Sequence, residues 1–153
     1  MYKKILLPID GSDNSNRATE HAINIADVNN SDIIVLFVVE PYYPKIPLLI
    51  STLPTPGENY YKEVEDEGEK IINDFKKNLE ENQCKGKCKN VHINSLIKEG
   101  KSYIEILNTI DEEKVDLVIM GASGRHSTLD RFMLGSVTER VIREARVPVM
   151  VIP

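Results

Sequence analysis

The stretch that decides the fold is "DLVIMGASGRHSTLDRFMLGSVTE", residues 116–139. An apolar run, Asp116 to Met120, leads into glycines at 121, 124 and 135, and helical spacing follows. A short apolar run bounded by glycines is typical of a buried strand that continues through a loop into a helix. The stretch therefore predicts a strand-loop-helix unit with much hydrogen-bond-donating backbone in its loop.

The same alternation of strand and helix patterns runs along the whole chain. The predicted strands are Tyr2–Ile9, Asp32–Glu40, Val91–Gly100, Asp116–Gly121 and Val147–Ile152, and the third is expected nearer an edge. The predicted helices start near Ser12 and span Tyr60–Gln83, Ser102–Glu112 and Thr138–Ala145, with Ile104, Leu107, Ile110, Val141, Ile142 and Ala145 facing inward. Alternating strands and helices imply a parallel sheet covered by helices on both faces. We expect an α/β fold, a doubly wound five-stranded parallel sheet of order 3-2-1-4-5, in a single domain covering 1–153.

This strand order also predicts where a ligand binds. Ligands of doubly wound sheets bind at the carboxyl ends of the strands, where the strand order reverses, here between strands 1 and 4. Strand 1 ends at Ile9-Asp10-Gly11 and strand 4 at Met120-Gly121. Asp10 and the glycine-rich loop should therefore face each other across a crevice.

The loop and the helix after it favour an anion. Backbone N–H groups at a helix start favour a phosphate, and the hydroxyls of Ser136 and Thr138 add donors. Gly121 and Gly124 let the chain turn sharply and approach a ligand, while Asp10 could accept from ribose hydroxyls or hold a metal through water. The alternative is structural: glycines as turn residues, Ser136 and Thr138 as helix caps, and Asp10 as a turn residue.

Composition excludes several other classes of function. The net charge of -5 argues against a nucleic-acid-binding surface. No apolar run approaches a membrane span or a signal peptide, so we expect a cytoplasmic protein. Cys84, Cys88 and His92 form C-x3-C-x3-H, which lacks a fourth zinc ligand, so free thiols are expected.

Two segments resemble a known family. "KKILLPIDGSDNSNRATEHAINIA", 3–26, and "GASGRHSTLDRFMLGSVTERVIREARVPVMVIP", 121–153, resemble the universal stress protein family, in particular its ATP-binding branch with the motif G-x2-G-x9-G-[ST]. Ten residues, 125–134, stand here where the family pattern has nine. We expect the extra residue to bulge outward at His126 or Ser127, because loops absorb insertions well.

The resemblance implies a Rossmann-like ATP-binding domain with Mg²⁺ or Mn²⁺ held mainly by the phosphates rather than by side chains. Carried over by position, the predicted nucleotide-binding residues are Pro8, Ile9 and Asp10 at the adenosine end, Val38 at adenine, Met120, Gly121 and Gly124 at ribose and phosphate, and Gly135, Ser136, Val137 and Thr138 at the phosphates. It also implies a homodimer paired through the last strand, Val147 to Ile152.

No complete catalytic set is visible. Arg125 and Arg131 as cations and His126 as a base are candidates, but surface charge is the favoured interpretation. We expect a nucleotide-responsive homodimeric binding module with no nucleic-acid or membrane partner. The alternatives are a slow or partner-dependent ATPase and a non-nucleotide structural or chaperone-like dimer.

The Pro-rich segment Pro41–Asn59 is either a connecting loop or a functional one, a lid or a dimer contact.

Overall fold

Strands and helices alternate along the chain in a computed structural model that describes residues 1–40, 58–78, 91–124 and 134–153. The elements are β1 (Lys4–Pro8), α1 (Asp13–Asn29), β2 (Asp32–Val39), α2 (Glu58–Asn78), β3 (Ile93–Glu99), α3 (Ser102–Glu113), β4 (Leu117–Gly121), α4 (Ser136–Glu144) and β5 (Val149–Ile152). No described helix combines the length and the apolar composition that a membrane span requires.

The strands form one 5-stranded sheet of order β3-β2-β1-β4-β5, and all pairings are parallel. The predicted fold class and strand order are confirmed. The central β1 is deeply buried in its middle, with Ile5, Leu6 and Leu7 at 0% exposure. β3 lies at an edge and is only half-buried along most of its length, as its alternating sequence predicted.

Helices cover both faces of the sheet because alternate strand residues point to opposite faces. On one face, Ile5 and Leu7 of β1 pack in a core that includes Ala22 of α1 and Phe75 of α2. On the other, Leu6 packs in a core that includes residues of α3 and α4, notably Ile106 and Val141. The carboxyl ends of the parallel strands lie together at one edge of the sheet, between the two layers of helices.

The prediction that Ile104 and Ile142 face inward is wrong. Ile104 is 37% exposed and Ile142 is 42% exposed. Successive helix residues are rotated by about 100°, so Ile104 lies about 120° around α3 from the buried Ile110. Ile106 lies four residues from Ile110, about 40° away on the same face, and is buried instead.

Two helix starts also differ from the prediction. α4 begins at Ser136, not Thr138, and α2 begins at Glu58, so residues 58 and 59 of the predicted loop are helical. Polar residues fit a helix start as well as a loop, which explains both errors. The rest of that loop, 41–57, and the predicted helix end at Gln83 lie outside the described residues.

Candidate functional site

A cavity of about 580 Å³ opens at the carboxyl ends of the strands, within the usual size range of small-molecule sites. All the residues predicted for nucleotide binding line it: Pro8, Ile9, Asp10, Val38, Met120, Gly121, Gly124, Gly135, Ser136, Val137 and Thr138. The fold thus brings together residues from β1, β2, β4 and α4 that are far apart in sequence. What they bind stays a prediction.

Other residues of the lining were not predicted: Ser12, Ser15, Leu36, Phe37, Glu40, Val64, Glu67, Ser102, Ile106 and Ser123. Some had a usable signal, because Ser12 directly follows strand 1 and Glu40 directly follows strand 2. For Val64 and Glu67 the sequence contains no such signal. They lie on α2 and line the cavity because that helix packs on β2.

Close packing explains two of the loop glycines. A Cβ at Gly124 would lie 2.6 Å from Asp10 Oδ2, and a Cβ at Gly121 would lie 2.8 Å from Asn14 Cβ. Among the described glycines, those with a left-handed φ are Gly11 and Gly100, so neither Gly121 nor Gly124 is required by a left-handed backbone. The chain nevertheless bends at residues 122 and 123, between these two glycines. After β1, the left-handed position is Gly11, with a φ of 77°.

Asp10 contacts both sides of the crevice. Its Oδ1 accepts a hydrogen bond from Ser12 N at 3.0 Å, so the carboxylate shapes the turn into α1. Its Oδ2 faces Gly124 of the loop. The predicted juxtaposition of Asp10 and the glycine loop is confirmed.

The N-termini of α1, α3 and α4 contribute residues to the cavity, and they differ in how they are capped. At α1, the N-cap is Ser12, whose Oγ accepts from Ser15 N at 3.2 Å. At α3, Glu40 Oε1 accepts from Ser102 N at 2.8 Å. The N-cap of α4 is Gly135, which makes no side-chain cap hydrogen bond. The N-cap residue of α4 therefore offers no side-chain acceptor to the first amides of that helix.

Thr138 and Ser136 are not the caps of α4. The Thr138 hydroxyl donates to Gly121 O at 2.9 Å, and Thr138 is 3% exposed. The proton of this hydroxyl is therefore directed at the protein backbone. Ser136, by contrast, is exposed on the first turn of α4.

The titratable side chains in the described part of the lining are all carboxylates: Asp10, Glu40 and Glu67. The candidate cations Arg125 and Arg131 and the candidate base His126 lie outside the described residues, as do Cys84 and Cys88. His92 is exposed just before β3. Within 1–40, 58–78, 91–124 and 134–153, no group of His, Cys, Asp and Glu side chains could hold a metal ion.

Comparison with known proteins agrees with this architecture. Universal stress protein MJ0531 of Methanocaldococcus jannaschii is 36% identical over 156 residues, which span 99% of this chain and 82% of that protein. The solved universal stress protein UspA from Lactobacillus plantarum has a TM-score of 0.76 at 25% identity, covering 99% of this chain and 98% of its own. The solved MJ0577 protein, also from Methanocaldococcus jannaschii, has a TM-score of 0.74 at 29% identity, covering 99% and 96%.

The match to a family extends over the whole length. The model of the universal stress protein family matches residues 1–153. That match includes β1 with Asp10, the glycine loop and β5, so the site and the sheet lie entirely inside it. The chain therefore belongs to the universal stress protein family.

Proposed function

We propose that this protein binds ATP together with Mg²⁺ or Mn²⁺ in the cavity at the carboxyl ends of the strands, and acts as a nucleotide-responsive binding module. The observation that carries the proposal is the N-terminus of α4, which lines the cavity and has a glycine as its N-cap. Ser12 Oγ accepts from Ser15 N in α1 and Glu40 Oε1 accepts from Ser102 N in α3, whereas the N-cap of α4, Gly135, has no side chain that could accept from the helix amides. Amides at a helix N-terminus attract a phosphate through their N–H groups and the helix dipole.

The charge of the lining supports a divalent ion. Asp10, Glu40 and Glu67 give the described lining a negative field, which opposes a bare triphosphate. A cation that enters on the phosphates reduces this repulsion. In this proposal the chain supplies the backbone amides of α4 and no side-chain metal ligand.

The adenosine end of the proposed site lies over β1 and β2. Asp10 is half-buried there, as are Pro8 and Val38 at the strand ends, while Met120 is 5% exposed. Two proteins of the same fold, 22% and 19% identical to this chain, have been solved in complex with cAMP and with dAMP, the latter from Archaeoglobus fulgidus. These ligands support the binding of an adenine nucleotide by this chain. That the nucleotide is a triphosphate is our own proposal.

The proposal includes a homodimer paired through β5, a single domain of residues 1–153 and a cytoplasmic location. β5 lies at the end of the sheet order, and its Met150 is 37% exposed, which supports pairing at that edge. ATP hydrolysis is not part of the proposal, because its candidate groups, Arg125, Arg131 and His126, lie outside the described residues.

Calorimetric titration tests the proposal directly. Protein freed of co-purified nucleotide should bind ATP with Mg²⁺ at micromolar concentration or below, and chelation of the metal should weaken binding. Titration with AMP and cAMP measures what the extra phosphates contribute. Absence of ATP binding both with Mg²⁺ and after chelation of the metal would overturn the proposal.

A charge placed at α4 tests the role of its N-terminus. Ser136→Asp adds a carboxylate to the first turn, where it favours the helix but repels phosphate. We expect the unfolding temperature to stay unchanged or rise while ATP affinity falls by roughly tenfold or more. Ser136→Ala, which removes only the hydroxyl, is the matched control and should bind more tightly than Ser136→Asp. Equal affinity of the two variants would place the phosphates elsewhere.

A further inference from the structure

The first residues of the glycine loop, Gly121, Ala122 and Ser123, form a segment that we name the loop base. Its backbone is bonded to two other parts of the fold. Ala122 N donates to Ile152 O of β5 at 2.7 Å, and Gly135 N donates to Ala122 O at 2.8 Å. The loop therefore starts and ends at a fixed point, directly beside the N-terminus of α4.

Two side chains attach the loop base to helices on opposite faces of the sheet. Asn14 Nδ2, in the first turn of α1, donates to Ser123 Oγ at 2.8 Å. Thr138 Oγ1, in the first turn of α4, donates to Gly121 O at 2.9 Å. These bonds join residues 109 and 17 positions apart in sequence, so they are products of the fold and not of local turns.

The orientation of the Asn14 amide is also determined. Arg17 donates to Asn14 Oδ1 from the next turn of α1. Arginine has no acceptor, so the amide oxygen must face Arg17 and the NH₂ group must face Ser123. Asn14 thus presents a fixed donor to the loop base.

We propose that Asn14 and Thr138 are positioning residues for the nucleotide: they hold the loop base between α1 and α4 and so fix the spacing between Asp10 and the N-terminus of α4. This inference rests on the proposed function. Neither side chain has to contact the ligand. A loop base already fixed in place needs less ordering when the ligand binds, and this raises affinity.

The test compares nucleotide affinity with stability. Thr138→Val and Asn14→Ala each remove a donor to the loop base, and each should weaken binding of ATP with Mg²⁺ by roughly threefold to tenfold in calorimetry. Thr138→Ser keeps the donor and should restore most of the affinity.

The chain offers a matched control for each variant. Thr109 is 0% exposed and its hydroxyl donates to Glu105 O within α3, outside the cavity lining, so Thr109→Val removes a similar buried bond. Asn29 Nδ2 donates to Ile25 O at the far end of α1, so Asn29→Ala matches Asn14→Ala. Both controls should lower the unfolding temperature by a few degrees and leave ATP affinity unchanged.

The outcomes separate the inference from the function on which it rests. If folded Thr138→Val and Asn14→Ala bind ATP as tightly as their controls do, the positioning role is wrong and the proposed function stands. If the unmodified protein does not bind ATP, both are wrong. A Thr138→Val protein that does not fold leaves the decision to Asn14→Ala, whose bond lies on a different helix.

Discussion

At the scale of single residues, Gly121 and Gly124 are required for different physical reasons. Gly121 lies against the first turn of α1, and Gly124 leaves room for the Asp10 carboxylate. Their positions are readable in the sequence as a motif. The neighbour that requires each glycine is not readable, because Asp10 and Asn14 lie more than a hundred positions away.

The contact between Gly124 and Asp10 gives a prediction for a pair of variants. A Cβ at position 124 would lie 2.6 Å from Asp10 Oδ2 and would displace that carboxylate. We therefore expect Gly124→Ala and Asp10→Ala each to weaken binding of ATP with Mg²⁺ by roughly tenfold, the effect of losing one hydrogen bond to a charged group.

The double variant decides whether Gly124 acts through Asp10. Once the carboxylate is gone, the added methyl group has nothing to displace, so Asp10→Ala/Gly124→Ala should bind about as tightly as Asp10→Ala alone. Effects that add in full would instead mean that Gly124 is needed for contact with the ligand itself. Denaturant unfolding of each variant checks that the domain stays folded.

At the scale of elements, α2 packs closely on β2 at Gly68. A Cβ at Gly68 would lie 2.5 Å from Cδ1 of Phe37, which is 4% exposed. This packing brings Val64 and Glu67 of α2 into the cavity lining. A glycine inside a helix lowers its intrinsic stability, so its presence here reflects the packing against β2.

Gly68→Ala tests this packing. The clash with Phe37 should cost about 1–3 kcal/mol, and the better helix propensity of alanine returns about 1 kcal/mol at most. We expect a net loss of stability in denaturant unfolding. Glu65→Ala, at an exposed position of the same helix, is the control and should change stability little. A Gly68→Ala protein as stable as the unmodified one would show that Phe37 can move aside.

At the scale of the whole molecule, β5 is a sheet edge with a defined hydrogen-bonding direction. Pro148 O and Ile152 O accept from β4, through Val118 N and Ala122 N. Since backbone groups alternate along a strand, Val149 and Val151 direct theirs away from β4, toward the edge. A second copy of the chain that pairs with β5 would use these outward groups.

Val151→Pro tests the proposed dimer. Proline removes an outward N–H while the groups that bond β4 remain, so the fold should persist and the dimer should weaken. Val151→Ala also shortens the side chain but keeps the N–H, and is the control. Analytical ultracentrifugation measures the dissociation constant of each. If Val151→Pro dimerises as tightly as Val151→Ala, the dimer does not pair through β5.

The sequence by itself determined the alternation of elements, the strand order and part of the set of residues that meet at the cavity. These follow from local periodicity and from a general rule of doubly wound sheets, and the family motif marks the same positions. Periodicity predicted less well which helix residues face inward, because Ile104 and Ile142 are apolar yet lie off the buried faces of α3 and α4.

Only the tertiary structure decided how the site is held together. The bonds from Asn14 to Ser123, from Thr138 to Gly121 and from Ser102 to Glu40 link residues of different elements. Side chains such as Asn, Thr and Glu occur at helix starts and strand ends for many reasons, so their presence alone identifies no partner. Their partners depend on how the layers of the fold pack against each other.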